Sequence, residues 1–148
     1  MMHELLYLKD DQIKEFIEKL FFAYRESFSD AKKALNKHSL GLAHHKVIHL
    51  LSIHDGITIS ELLKKLKITK QSLNRVLNDL TKIKCIFFEK DKKDTRLKHV
   101  YLTETGKKLF EEIFSFQKKR IYKALLKSSS KEVLCFGNVI ERIINEKV

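Results

Sequence analysis

The chain has 148 residues, 43% hydrophobic and 33% charged, which suits one domain with a sizeable core and is too apolar for a disordered chain. Its longest apolar runs, such as Leu20-Phe21-Phe22-Ala23-Tyr24, are far too short to span a bilayer, and no basic segment leads into an apolar one at the start. The net charge of +11 is uneven: residues 1–56 carry eight basic and eight acidic side chains, residues 57–103 carry 12 and five, and residues 104–148 carry ten and six.

The positive excess therefore concentrates in the middle of the chain, which points to a polyanionic partner there. Only 5 of the 30 basic residues are Arg, so enrichment in Lys accounts for part of the total but not for a neutral first third. Cys85 and Cys135 make no disulfide framework, and a cytoplasmic setting without membrane attachment is the simplest expectation.

Proline is absent and glycine occurs only at 41, 56, 106 and 137, so a mainly α (α+β) chain is expected, with turns near those positions. From residue 10 to about 37, Ile13, Phe16, Ile17, Leu20, Phe21, Tyr24 and Phe28 recur at helical steps and form one stripe. Asp10 and Asp11 stand where an N-cap and the helix dipole favour acids. Such an aromatic stripe near a terminus reads either as an oligomer contact or as ordinary core. Residues 42–53 form a second helix with Val47, Ile48, Leu50 and Leu51 facing inward, ended by an Asp55-Gly56 turn.

Residues 57–59 are β-branched enough for one small strand. Thr58-x-x-Glu61 is a capping box that starts the next helix, with Leu62, Leu63 and Leu66 as its buried face. Thr69 caps the helix after that, over about residues 69–82. Leu73, Val76, Leu77 and Leu80 commit one side of it to the core. The other side shows Lys70, Gln71, Asn74, Arg75 and Asn78, side chains suited to base edges and phosphates. Two strands follow, residues 85–89 and 99–102, around a tip that is almost entirely charged. Two short helices and a charged hairpin make a winged helix-turn-helix over residues 42–103, with the wing at about 88–99. A narrow positive tip carrying Lys90, Lys92, Lys93, Arg96 and Lys98 suits a DNA minor groove.

Thr103 caps a long helix from residue 104 to about 127, broken by Ser128-Ser129-Ser130. A last helix, residues 131 to about 145, carries Val133, Leu134, Phe136, Val139, Ile140, Ile143 and Ile144 around much of its circumference, and burial of these is expected. A terminal helix of that kind needs two surfaces to bury against, which a dimer supplies. The chain thus reads as a single domain, 1–148, in which 1–41 and 104–148 are long helical dimerisation segments around the reader.

This order resembles the MarR family of bacterial transcription regulators, most specifically through Asp94-Thr95-Arg96 followed by Leu102-Thr103-Glu104-Thr105-Gly106. The resemblance implies a homodimer that binds double-stranded DNA, each subunit placing one helix in a major groove and its wing at a minor groove. It implies DNA contacts by Thr69, Lys70, Gln71, Asn74, Arg75, Lys92, Lys93, Asp94, Arg96 and Lys98, with Asp94 orienting Arg96. Where the family pattern has two basic residues after the wing Asp, Thr95 takes the first place here, which removes one phosphate contact. No cofactor is implied, but an unidentified small-molecule effector is, and the regulator acts as repressor or activator. The alternative is a winged-helix module that binds a protein or a structured RNA.

Some residues admit a further reading. His45 and His49 share one helix face at metal-chelating spacing and would need further ligands from His38, His54 or Asp55; paired histidines are more often polar surface or hydrogen-bonded core. Cys85 and Cys135 both lie in apolar segments, where a buried thiol is inert rather than an oxidant sensor. The chain holds no Gly-rich phosphate loop, no Cys-x-x-Cys and no His-Glu-x-x-His, so no enzyme is expected.

Overall fold

The computed structural model describes residues 5–148. After a short turn at Leu6–Leu8 the elements are α1 (Asp10–Lys37), α2 (Leu42–Ile53), β1 (Ile57–Thr58), α3 (Ile59–Leu66), α4 (Lys70–Lys82), β2 (Ile86–Lys90), β3 (Lys98–Leu102), α5 (Glu104–Leu126) and α6 (Ser130–Asn145). The strands form one antiparallel sheet in the order β1-β3-β2. Its register pairs Ile57 with Val100, Phe88 with Val100 and Ile86 with Leu102, which stacks the apolar side chains on one face.

That face closes the core. Val47, Ile48 and Leu51 of α2, Leu62 of α3, and Leu73, Val76, Leu77 and Leu80 of α4 pack with Ile57, Ile86, Val100 and Leu102. The C-terminal part of α1 and the first half of α5 join the same cluster through Ala31, Ala34, Leu35, Leu109 and Ile113. Small alanines let the two long helices approach closely. Polar pins then fix their register: Lys37 Nζ lies 3.0 Å from Glu112, Arg120 Nη2 3.0 Å from Asp30, and the Gln117 amide 3.0 Å from the Ser27 carbonyl.

The start of α5 is tied to the sheet. Thr103 donates its backbone N–H to the Cys85 carbonyl (2.9 Å) and its hydroxyl to the Lys84 carbonyl (2.6 Å), while its hydroxyl accepts from the Gly106 N–H (3.0 Å). A side chain at Gly106 would place its Cβ 2.1 Å from the Cys85 carbonyl oxygen, so only glycine permits this approach.

Several expectations need correction. Asp10 is not a cap: Lys9 holds the N-cap position without a side-chain bond, and Asp10 and Asp11 occupy the first turn, where the helix dipole alone favours them. Cys85 precedes its strand, which runs on to Lys90. Leu50, Leu63 and Leu66 are only partly buried at the edge of the core. Helix α6, expected to bury its apolar residues with the help of a dimer, is open in the single chain. None of its apolar residues is buried, and Leu134, Phe136 and Ile144 are 68%, 57% and 70% exposed. Among the described residues the helix makes no extensive contact with another element, so its apolar faces have no cover there. The front of the α1 stripe is likewise open at Ile13, Phe16, Ile17, Phe21 and Tyr24. Cys135 rides on α6 and is exposed, whereas Cys85 is buried and desolvation pushes its thiol pKa up.

Candidate nucleic-acid interface

Local chemistry sets the two reader helices. The Thr58 hydroxyl accepts from the Glu61 N–H, and the Glu61 carboxylate accepts from the Thr58 N–H, both at 3.2 Å, so the capping box is closed in both directions. Helix α3 ends at Lys67 in the left-handed region, φ 51°, a conformation that usually falls to glycine. Ile68 follows, and Thr69 caps α4 by accepting from the Ser72 N–H at 3.1 Å. The tight turn leaves α4 with Leu73, Val76, Leu77 and Leu80 buried, and Thr69, Lys70, Gln71, Asn74 and Arg75 in solvent. Together with Asn78, Asp79 and Lys82, the last four line a shallow polar trough along the outer face of α4.

A histidine of α2 holds α4 from behind. The Gly41 N–H donates to His44 Nδ1 at 3.0 Å, which leaves the proton on Nε2, and Nε2 lies 2.9 Å from Asp79 Oδ2. A neutral imidazole satisfies both contacts.

The wing tip between β2 and β3 is built from two successive aspartate turns. Asp91 Oδ2 accepts from the Lys93 N–H (3.0 Å) and the Asp94 N–H (2.9 Å). Asp94 Oδ1 accepts from the Arg96 N–H and from Arg96 Nε, both at 3.1 Å, and its Oδ2 lies 3.3 Å from Nη2. The Arg96 guanidinium is therefore held by one edge while its side chain stays 89% exposed, with donors left for a partner. Lys92, Lys93 and Lys98 are exposed around it.

Four residues to which the sequence reading gave no functional role carry this geometry: His44, Asp79, Asp91 and His99. His99 of β3 lies 2.8 Å from Asp91 Oδ1 and 2.7 Å from the Gly56 carbonyl oxygen. The Asp91-x-Lys93-Asp94 spacing is a legible turn signal; the histidine contacts bridge positions 35 and 43 residues apart and leave no trace in local pattern.

Between the reader and the long helices lies a cavity of about 580 Å³, lined by residues that include Phe28, His45, His49, Phe114, Gln117 and Tyr122. His45 is buried, neither of its ring nitrogens has a hydrogen-bond partner among the described residues, and its ring meets Phe28 edge-on at 5.3 Å. Burial, then the neighbouring His49, hold the His45 pKa below the ordinary value against the opposing Gln117 amide; burial lowers that of His49 too. Among the described residues no three His, Cys, Asp or Glu side chains gather into a metal-holding group, so this pair acquires no third ligand from His38, His54 or Asp55. No described helix is long and apolar enough to cross a membrane.

Comparison with known proteins agrees with this arrangement. A model of the MarR family matches residues 38–97. The chain is 36% identical over 141 residues to the HTH-type transcriptional regulator PetP of Rhodobacter capsulatus, covering 95% of this chain and 85% of that one. In fold it resembles the S. aureus MepR–DNA complex (TM-score 0.67, 24% identity, 86% of this chain and 95% of that one). It also resembles NadR in complex with 4-hydroxyphenylacetate (TM-score 0.77, 19% identity, 99% of this chain and 100% of that one).

Proposed function

The chain belongs to the MarR family of transcriptional regulators, and on that premise we propose that it binds double-stranded DNA as a homodimer and responds to a small ligand. One observation carries the DNA reading. The solvent face of α4 offers Lys70, Gln71, Asn74 and Arg75 side by side, beside a wing whose Arg96 is pre-oriented by Asp94. In this reading α4 enters a major groove, where Gln71 and Asn74 meet base edges and Lys70 and Arg75 meet phosphate or base. Arg96, with Lys92, Lys93 and Lys98, lies along the minor groove and its backbone. The open apolar faces of α1 and α6 support a second copy, and two-fold symmetry then sets the half-sites about 34–36 Å apart. The relative drawn with DNA supports the first part of the proposal, and the relative drawn with 4-hydroxyphenylacetate supports the last. The cavity beneath α2 and α5 is the place for that ligand, because it touches both the reader and the frame.

A gel shift with a duplex from the gene's own upstream region, run over a series of salt concentrations, tests the reading. Specific binding that weakens steeply with salt is expected, since neutralised phosphates release counterions. Binding no better than to competitor DNA would sink it.

A further inference from the structure

The two contacts of the His99 imidazole fit only one protonation state. Nδ1 faces the Gly56 carbonyl oxygen at 2.7 Å and Nε2 faces Asp91 Oδ1 at 2.8 Å. Neither a carbonyl nor an ionised carboxylate has a proton to give. Both contacts are hydrogen bonds only when both ring nitrogens carry hydrogen, in the imidazolium. A neutral ring keeps one bond and turns a lone pair toward an oxygen at the other. His44 is the contrast within the same molecule, because there one neighbour donates and one accepts.

The two oxygens belong to different parts of the reader. Gly56 closes the turn from α2 into β1 with φ 77°. Asp91 is the first residue after β2, and its second oxygen holds the backbone of Lys93 and Asp94, which in turn holds Arg96. His99 therefore joins the helix-turn-helix body to the carboxylate that shapes the wing tip. The charges around it favour the imidazolium. The bond to Asp91 comes first, the Gly56 carbonyl second, and Glu61 of α3 adds to them, raising the His99 pKa against partial burial. Asp91 is lowered in return to about 2, chiefly by its bond to His99. Glu89 of β2 stands directly across the ladder, Tyr101 is the next residue on this face of β3, and β1 contributes only Thr58.

We propose that His99, as the imidazolium, is the positioning residue of the wing: it locks the tip to the helix-turn-helix body, and losing its proton loosens the wing and weakens its hold on DNA. The last step rests on the DNA-binding reading; the lock itself does not. The lock is complete below the ordinary histidine pKa of about 6.5 and is lost as pH rises through the raised value.

Nitrogen-15 NMR of the full chain, titrated through the neutral range, reads the lock directly. The His99 ring should show both nitrogens protonated up to a midpoint above about 6.5. The Lys93 and Asp94 amide signals should move with that midpoint. Asp91→Asn, which keeps an acceptor for the turn but removes the charge, should bring the His99 midpoint back down. A His99 midpoint at or below the ordinary value would overturn the lock. Fluorescence anisotropy with a duplex enriched by this protein from a random pool reads the consequence. Affinity of the unaltered chain should fall roughly three- to tenfold through the His99 midpoint, while His99→Gln shows no such step. Identical pH profiles for the two proteins would overturn the positioning role. Failure to enrich any duplex would strike the DNA reading, and with it the final step, while the NMR titration still decides the lock.

Discussion

Between Ile57 and Leu102, Leu62, Leu73, Leu80 and Val100 are fully buried against neighbours from the same chain. In α6 apolar residues recur along the whole helix, and none is buried. The two regions differ in cover rather than in pattern. Helix α4 meets α2 and β2 of its own chain, whereas α6 meets no element extensively. Periodicity states that a helix has a face to bury; it does not state which chain supplies the other side. Charge divides the same two regions. The reader carries most of the positive excess, and α6 is neutral, with Lys131 and Arg142 set against Glu132 and Glu141. One region is closed and positively charged, and the other is open, neutral and apolar.

The contrast breaks most completely if the open faces are charged. The double substitution Leu134→Glu and Phe136→Glu should turn the proposed dimer into a monomer by light scattering and abolish the gel shift. Helix content and the fold of residues 57–103 should persist. An unaltered protein that is already monomeric at working concentration would remove the basis of this comparison.

Next in size is the seam between the regions. Gly106→Ala sets a Cβ against the Cys85 carbonyl and should lower stability by about 3 kcal/mol in urea unfolding, because backbone on both sides must shift. A substitution without cost would show that α5 is not anchored to the sheet.

Within the reader, Arg96→Ala should lower DNA affinity on the order of ten- to a hundredfold. Its melting temperature should not change, since the side chain is exposed and, among the described residues, bonded only to Asp94. Unchanged affinity would mean that the wing does not engage. The smallest effect is Thr58→Ala, which opens the capping box of α3 and should cost about 1 kcal/mol by thermal unfolding. Comparable losses of DNA affinity and of stability in that variant would show that the α3 start positions α4 as well.

Much of the reader was legible in the residues. Thr58, Thr69 and Thr103 cap the helices they announce, because a cap needs only a hydroxyl and an N–H three residues on. The aspartate and arginine of the wing meet two residues apart for the same reason. The apolar circumference of α6 showed that the helix has surface to bury; one chain leaves that surface, and Cys135 with it, in solvent.

The amino-acid sequence by itself determined the capped starts of α3, α4 and α5, the buried face of α4, the concentration of charge and, through the family resemblance, the Asp94–Arg96 pair. All of these are interactions within a few residues, or sums over a segment. The tertiary structure alone decided that His44 braces α4 through Asp79, that His99 joins Asp91 to Gly56, and that α6 stands uncovered. Those outcomes depend on how distant segments meet, and spacing along one helix or strand carries no information about the chain that packs across it.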